Sequence, residues 1–142
     1  MKRIVTLAAT VAILAAPAAA YGETIQQEGF IKGDKAATVK LRVEVNGNGP
    51  QKVGGFKAKS VQARCDGNEI VRISLTALTP VDVDRDNGFK VRLSDGDGGV
   101  LRISGQVKGD GNATVGNLKT TDSKSGSQTC RVPTQGFRTS AR

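Results

Sequence analysis

Asp82, Asp84 and Asp86 alternate along V-D-V-D-R-D-N-G, ending at Gly88. Three carboxylates on one side of an extended segment, followed by a glycine that lets the chain turn, are a donor set suited to a hard cation such as Ca²⁺. The pattern is akin to the start of an EF-hand loop, with the glycine one residue late and no glutamate at the closing position. Asp110 is a candidate fourth ligand. The competing explanation is that Val81 and Val83 continue an inward stripe while the aspartates face water. Calcium is therefore carried forward as a candidate cofactor, and no other cofactor is implied.

A second chemistry-bearing set is basic. Arg42, Arg64, Arg72, Arg92 and Arg102 each occupy an outward position of a different expected strand, with Lys40, Lys90 and Lys108 alongside. Guanidinium groups bind phosphate, sulfate or carboxylate in a bidentate manner, so the five arginines form a candidate anion-binding set. The alternative is a solvated sheet face with local pairs such as Arg42 with Glu44. Nucleic acid is a poor choice of ligand, because the chain has one tyrosine, four phenylalanines and no tryptophan to stack on bases.

Catalysis is argued down by composition. The chain has no histidine, which rules out Ser-His-Asp and Cys-His arrangements and the usual His/Cys zinc sites. Serines and lysines are scattered over outward positions and polar loops, with no context for a Ser-Lys pair. The expectation is that this is not an enzyme.

Two cysteines, Cys65 and Cys130, complete the set. In an exported chain they are expected to bond to each other. The export expectation comes from the first 20 residues: a basic Met1-Lys2-Arg3, an apolar run Ile4–Ala16, and small residues Ala18–Ala20 at a cleavage point. This is the pattern of a secretory signal peptide, and its apolar run is too short to span a bilayer. No later stretch is long and apolar enough for a transmembrane segment. The organisation expected is a signal peptide, 1–20, and a secreted (extracellular, bacterial) β domain, 21–142. Losing Lys2 and Arg3 lowers the net charge from +8 to +6, which still suits an anionic surface polymer as partner. The oligomeric state is left open.

The elements that must position these residues are strands. Val39, Leu41, Val43 and Val45 alternate with Lys40, Arg42 and Glu44 over Thr38–Val45. Ser60–Leu78 gives a hairpin about Asp66-Gly67-Asn68, with Val61, Ala63 and Cys65 inward before the turn and Val71, Ile73, Leu75 and Ala77 inward after it. Phe89–Ser94 and Val100–Lys108 continue the period-2 pattern, and Gly54-Gly55 marks a bulge. Tyr21–Lys35 reads as a loose lead-in with one short edge strand. The fold expected is all-β, a single antiparallel β-sandwich or small meander barrel of about 7–8 strands. In a meander, alternate turns share an end, which brings the turn after Cys65 and the loop 119–127 before Cys130 together.

The segments F-K-A-K-S-V-Q-A-R-C-D-G (Phe56–Gly67), F-K-V-R-L-S (Phe89–Ser94), L-R-I-S-G-Q-V-K-G (Leu101–Gly109) and S-G-S-Q-T-C (Ser125–Cys130) resemble small secreted two-cysteine β-rich proteins common in actinobacteria. The resemblance covers most of the chain after residue 20, and its opening Y-G-E-T-I-Q-Q-E-G departs from the pattern. That group has no assigned activity, so the resemblance implies fold and location and transfers no functional residue. The function expected is a non-catalytic secreted binding module contacting an anionic surface polymer. The alternatives are a structural or protein-interaction β domain and a calcium-stabilised adhesion module.

Overall fold

A computed structural model describes residues 22–142 apart from 95 and 97, and apart from the side chain of Ser125. The expected signal peptide and the two aspartates of the 95–98 turn lie outside the described residues. The described residues form eleven strands: β1 Glu23–Ile31, β2 Asp34–Asn46, β3 Gly49–Cys65, β4 Ile70–Ala77, β5 Val81–Asp82, β6 Gly88–Ser94, β7 Val100–Lys108, β8 Ala113–Thr120, β9 Ser123–Ser125, β10 Gln128–Arg131 and β11 Gln135–Ala141. One 3₁₀ turn, Asp66–Asn68, separates β3 from β4.

The expectation of an all-β antiparallel domain holds, whereas a count of seven or eight strands and a closed meander barrel do not. A single sheet runs β6-β7-β8-β11-β1-β2-β3-β10-β9, with β4 and β5 also pairing with β3, and it is not closed into a barrel. The path is a meander only in parts, because β11 returns to lie between β8 and β1.

β3 explains much of the difference. The approach Gln51–Lys59 and the first arm of the expected hairpin are one strand of 17 residues. It carries three register shifts: one with β2 between Pro50 and Lys52, one with β2 where Gly55 adopts φ 59°, and one with β4 where Ser60 adopts φ 59°. A bulge bends and twists its strand. Bent at these points, β3 serves β2 and β10 on one edge and β4 and β5 on the other.

The core contains most of the alternating residues expected of β2, β3, β6 and β7, together with Val53, Phe56, Leu118 and Phe137; Val45, at the end of the β2 stripe, is only partly buried, and Leu93, expected inward on β6, is 37% exposed. One row across four strands shows how so few aromatics suffice. Phe89, Gly105, Gly116 and Phe137 are successive cross-strand partners on β6, β7, β8 and β11. The two rings lie over the two glycines: a Cβ on Gly105 would sit 2.8 Å from Cζ of Phe89, and one on Gly116 2.7 Å from Cζ of Phe137. Phe137 also meets Phe56 edge to face, with centroids 5.6 Å apart.

β1 is a full strand between β11 and β2, contrary to the expected lead-in. Its pattern was hidden because a polar residue takes a core position: Gln27 is 1% exposed. Its amide donates to the Gly111 carbonyl at 2.5 Å and its Oε1 accepts from the Thr139 hydroxyl at 2.7 Å, so the burial is satisfied. Thr114, opposite Thr139, has a buried hydroxyl with no hydrogen-bond partner among the described residues. Removing an unsatisfied buried polar group recovers its desolvation penalty. Thr114→Val is expected to raise stability by about 1 kcal/mol, read as a higher denaturant midpoint with unchanged slope.

Cys65 and Cys130 are joined in a disulfide and are direct cross-strand partners on β3 and β10, with Cα atoms 4.0 Å apart. Asp66 accepts the Thr129 amide at 3.1 Å and Gln128 donates to Glu69 at 3.1 Å, which fastens the β9–β10 hairpin to the same end.

Candidate anion-binding face

On β6, β7 and β8 the core takes alternate residues, which leaves the residues between them on the outer face. Register then sets those outward residues side by side. Arg92 lies opposite Arg102, and Arg102 opposite Lys119, so three cations form one row across three adjacent strands. The next row on the same face is Lys90, Ser104 and Asn117. Directly opposed residues have Cβ atoms about 4.5–5.5 Å apart, a spacing at which like charges oppose the pairing. The described ion pairs are Lys40–Glu28, Arg72–Asp34 and Arg142–Glu28, so none of these four cations is neutralised by a carboxylate among the described residues. The rows enclose a shallow concavity of about 420 Å³ lined by Lys90, Arg92, Arg102, Lys119 and the polar Ser104, Asn117 and Thr134. Guanidinium, ammonium, amide and hydroxyl donors thus converge on one open surface, the donor set for an oxyanion.

The other arginines singled out from sequence are elsewhere. In strand order, β8, β11 and β1 separate β7 from Arg42 on β2. Its guanidinium covers Gly55, with Nε 2.8 Å from where a Cβ would stand. Arg72 is committed to structure: its Nη1 pairs with Asp34 at 3.0 Å and donates to the Ser60 carbonyl at 2.6 Å, holding the bulge of β3. Arg64 stands opposite Arg131 beside the disulfide. The expected stripe of five therefore does not form. Two of its members, Arg92 and Arg102, come together, and Lys119 joins them. Lys119 falls in the expected loop 119–127, yet N-L-K-T continues the alternation past Leu118, which places it outward on β8.

The carboxylate run does not assemble a ligand set. Asp84 Oδ1 accepts the amides of Asp86 and Gly88, each at 2.9 Å, which closes a side-chain turn. The chain therefore bends at Arg85–Asp86 instead of staying extended, and the alternation that would have aligned three carboxylates is broken. Asp82 lies on β5 opposite Lys52. Among the described residues no group of three His, Cys, Asp or Glu side chains could hold a metal ion, and Asp110 adds no fourth ligand. Val81 and Val83 do pack half-buried against the core, as the competing explanation required.

No family model matches this chain, and no curated protein or solved structure matches it.

Proposed function

We propose that this chain is a non-catalytic, secreted binding module that holds an anionic polymer of the cell surface against the outer face of β6–β8. The observation that carries the reading is the row Arg92, Arg102, Lys119, three adjacent cations with no carboxylate partner among the described residues. Such a row works against its own sheet pairing, and a repeating anion would offset that repulsion. A polymer suits it better than a small ligand, because the surface is shallow and its cations follow one another across the strands. Export is supported by the signal-like first 20 residues and by the Cys65–Cys130 bridge, since disulfides persist in oxidising compartments. The actinobacterial resemblance is consistent with that location.

The test is retention of the purified domain on sulfated polysaccharide, on phosphate-bearing cell-wall polymer and on neutral resin. Retention on the anionic matrices is expected at low salt and is expected to vanish near about 1 M, where the Debye length falls to about 3 Å. Elution with the void volume from every matrix at low salt would end the electrostatic reading.

A further inference from the structure

β4 is an open edge of the sheet, since it pairs with β3 alone. Open edges are usually guarded by charge, proline or brevity. The other open strands among the described residues are guarded: β6 carries Lys90 and Arg92, β9 has three residues including Lys124, and β5 has two residues, one of them Asp82. β4 is eight residues long, and its one charged side chain, Arg72, is already neutralised by Asp34. Ile70 at its start is 57% exposed, and Leu78 just beyond its end is 54% exposed. An uncharged edge bracketed by exposed apolar side chains is a surface built to be covered.

The order of residues selects what covers it. Ile70–Leu78, I-V-R-I-S-L-T-A-L, has the same apolar pattern in both directions about Ser74. We propose that β4 pairs antiparallel with β4 of a second copy of this chain, across a two-fold axis at Ser74, so that one sheet runs through both protomers. An isologous interface demands this self-complementarity. On the outer face, Ile70 then meets the partner's Leu78, Arg72 meets the partner's Thr76, and the two Ser74 residues meet on the axis. On the core face, Val71 meets the partner's Ala77 and Ile73 the partner's Leu75. Every pair keeps its face, and no charge opposes its like. A slip of one residue would turn core side chains outward. A slip of two would leave Ile70 or Leu78 facing a polar partner or none.

The space beside β4 fits the same occupant. A cleft of about 640 Å³ opens next to the strand, and the apolar Ile73, Leu75, Leu93 and Leu101 line it together with Lys124 and Arg131. The core-facing side chains of the incoming strand enter it, and symmetry fills the second cleft in return. Because the two-fold pairs an already neutral edge, dimer formation does not depend on the anion-binding row.

The experiment measures the mass of the domain by sedimentation velocity and light scattering from about 1 μM to 1 mM, the range over which weak to moderate dimers dissociate. A concentration-dependent dimer is expected. Ser74→Lys sets two ammonium groups on the axis at an exposed position, and it is expected to be monomeric throughout with an unchanged fold. Ser74→Cys is expected to cross-link into a disulfide-bonded dimer in air, while Ser140→Cys, exposed on β11, stays uncross-linked. A wild-type monomer at the highest concentration, or a dimer that survives Ser74→Lys, overturns the proposal. Failure of Ser74→Cys to cross-link a wild-type-like dimer overturns the two-fold register.

Discussion

Replacing Cys65 and Cys130 together by serine is expected to lower the stability of the domain by about 4 kcal/mol. The bridge spans 65 residues of sequence, so its loss returns a large loop entropy to the unfolded chain. Small domains are stable by about 5–15 kcal/mol in total, so most of the margin is at stake. The loss has a location as well as a size. Among the described residues β10 pairs with β3 only through Cys130 and Arg131, and the ladder of β9 is to β10. Without the bridge, the β9–β10 hairpin keeps the hydrogen bonds of Asp66 with Thr129 and Glu69 with Gln128, both on the exposed surface. Amide exchange should therefore rise first in residues 123–131, before the global transition. Reducing the wild-type protein should reproduce the shift in denaturant midpoint. An unchanged midpoint on reduction would show that the bridge contributes little.

Phe137→Ala is expected to cost about 3–5 kcal/mol. Phe137 is fully buried, and its ring fills the gap over Gly116 while meeting Phe56 edge to face. The neighbours cannot collapse into the hole easily. Gly116 has no side chain to offer, and its backbone is fixed by ladders on both sides, to β7 and to β11. Phe137→Leu, which retains most of the volume, should cost well under half as much. Equal midpoints for the alanine and leucine variants would contradict the claim that the ring packs as a specific shape.

The strands that alternated cleanly were legible from sequence. Val39, Leu41 and Val43, Val61 and Ala63, and Leu101, Ile103 and Val107 are all buried as expected, because one face of each strand meets the core. Where alternation failed, the reason was local. β1 was missed because Gln27 takes a core place through two hydrogen bonds that no periodicity announces. Gly54-Gly55 signals the bulge that Gly55 forms, but the period-2 pattern does not show that the strand runs on through it from Gly49 to Cys65. The strand order could not be read at all, since β11 reaches β1 across more than a hundred residues of sequence. The candidate site suffered from that gap. Outward arginines were identified one strand at a time, and only the register shows that Arg92 and Arg102 are neighbours while Arg72 belongs to Asp34. The carboxylates show the opposite error: an alternating pattern was legible, but a turn closed by Asp84 dispersed it.

Polymer binding is expected to depend on where the cations lie, beyond how many there are. The direct measurement compares two variants of equal net charge on the phosphate-bearing polymer: Arg92→Glu with Arg102→Glu, and Lys57→Glu with Lys59→Glu on the exposed positions of β3. Each removes two positive and adds two negative charges. The first variant is expected to elute with the void volume at low salt, while the second is retained and elutes at a modestly lower salt concentration than the wild type. Equal loss of retention in both variants would contradict it, because binding would then follow net charge and the β6–β8 face would have no special part in it.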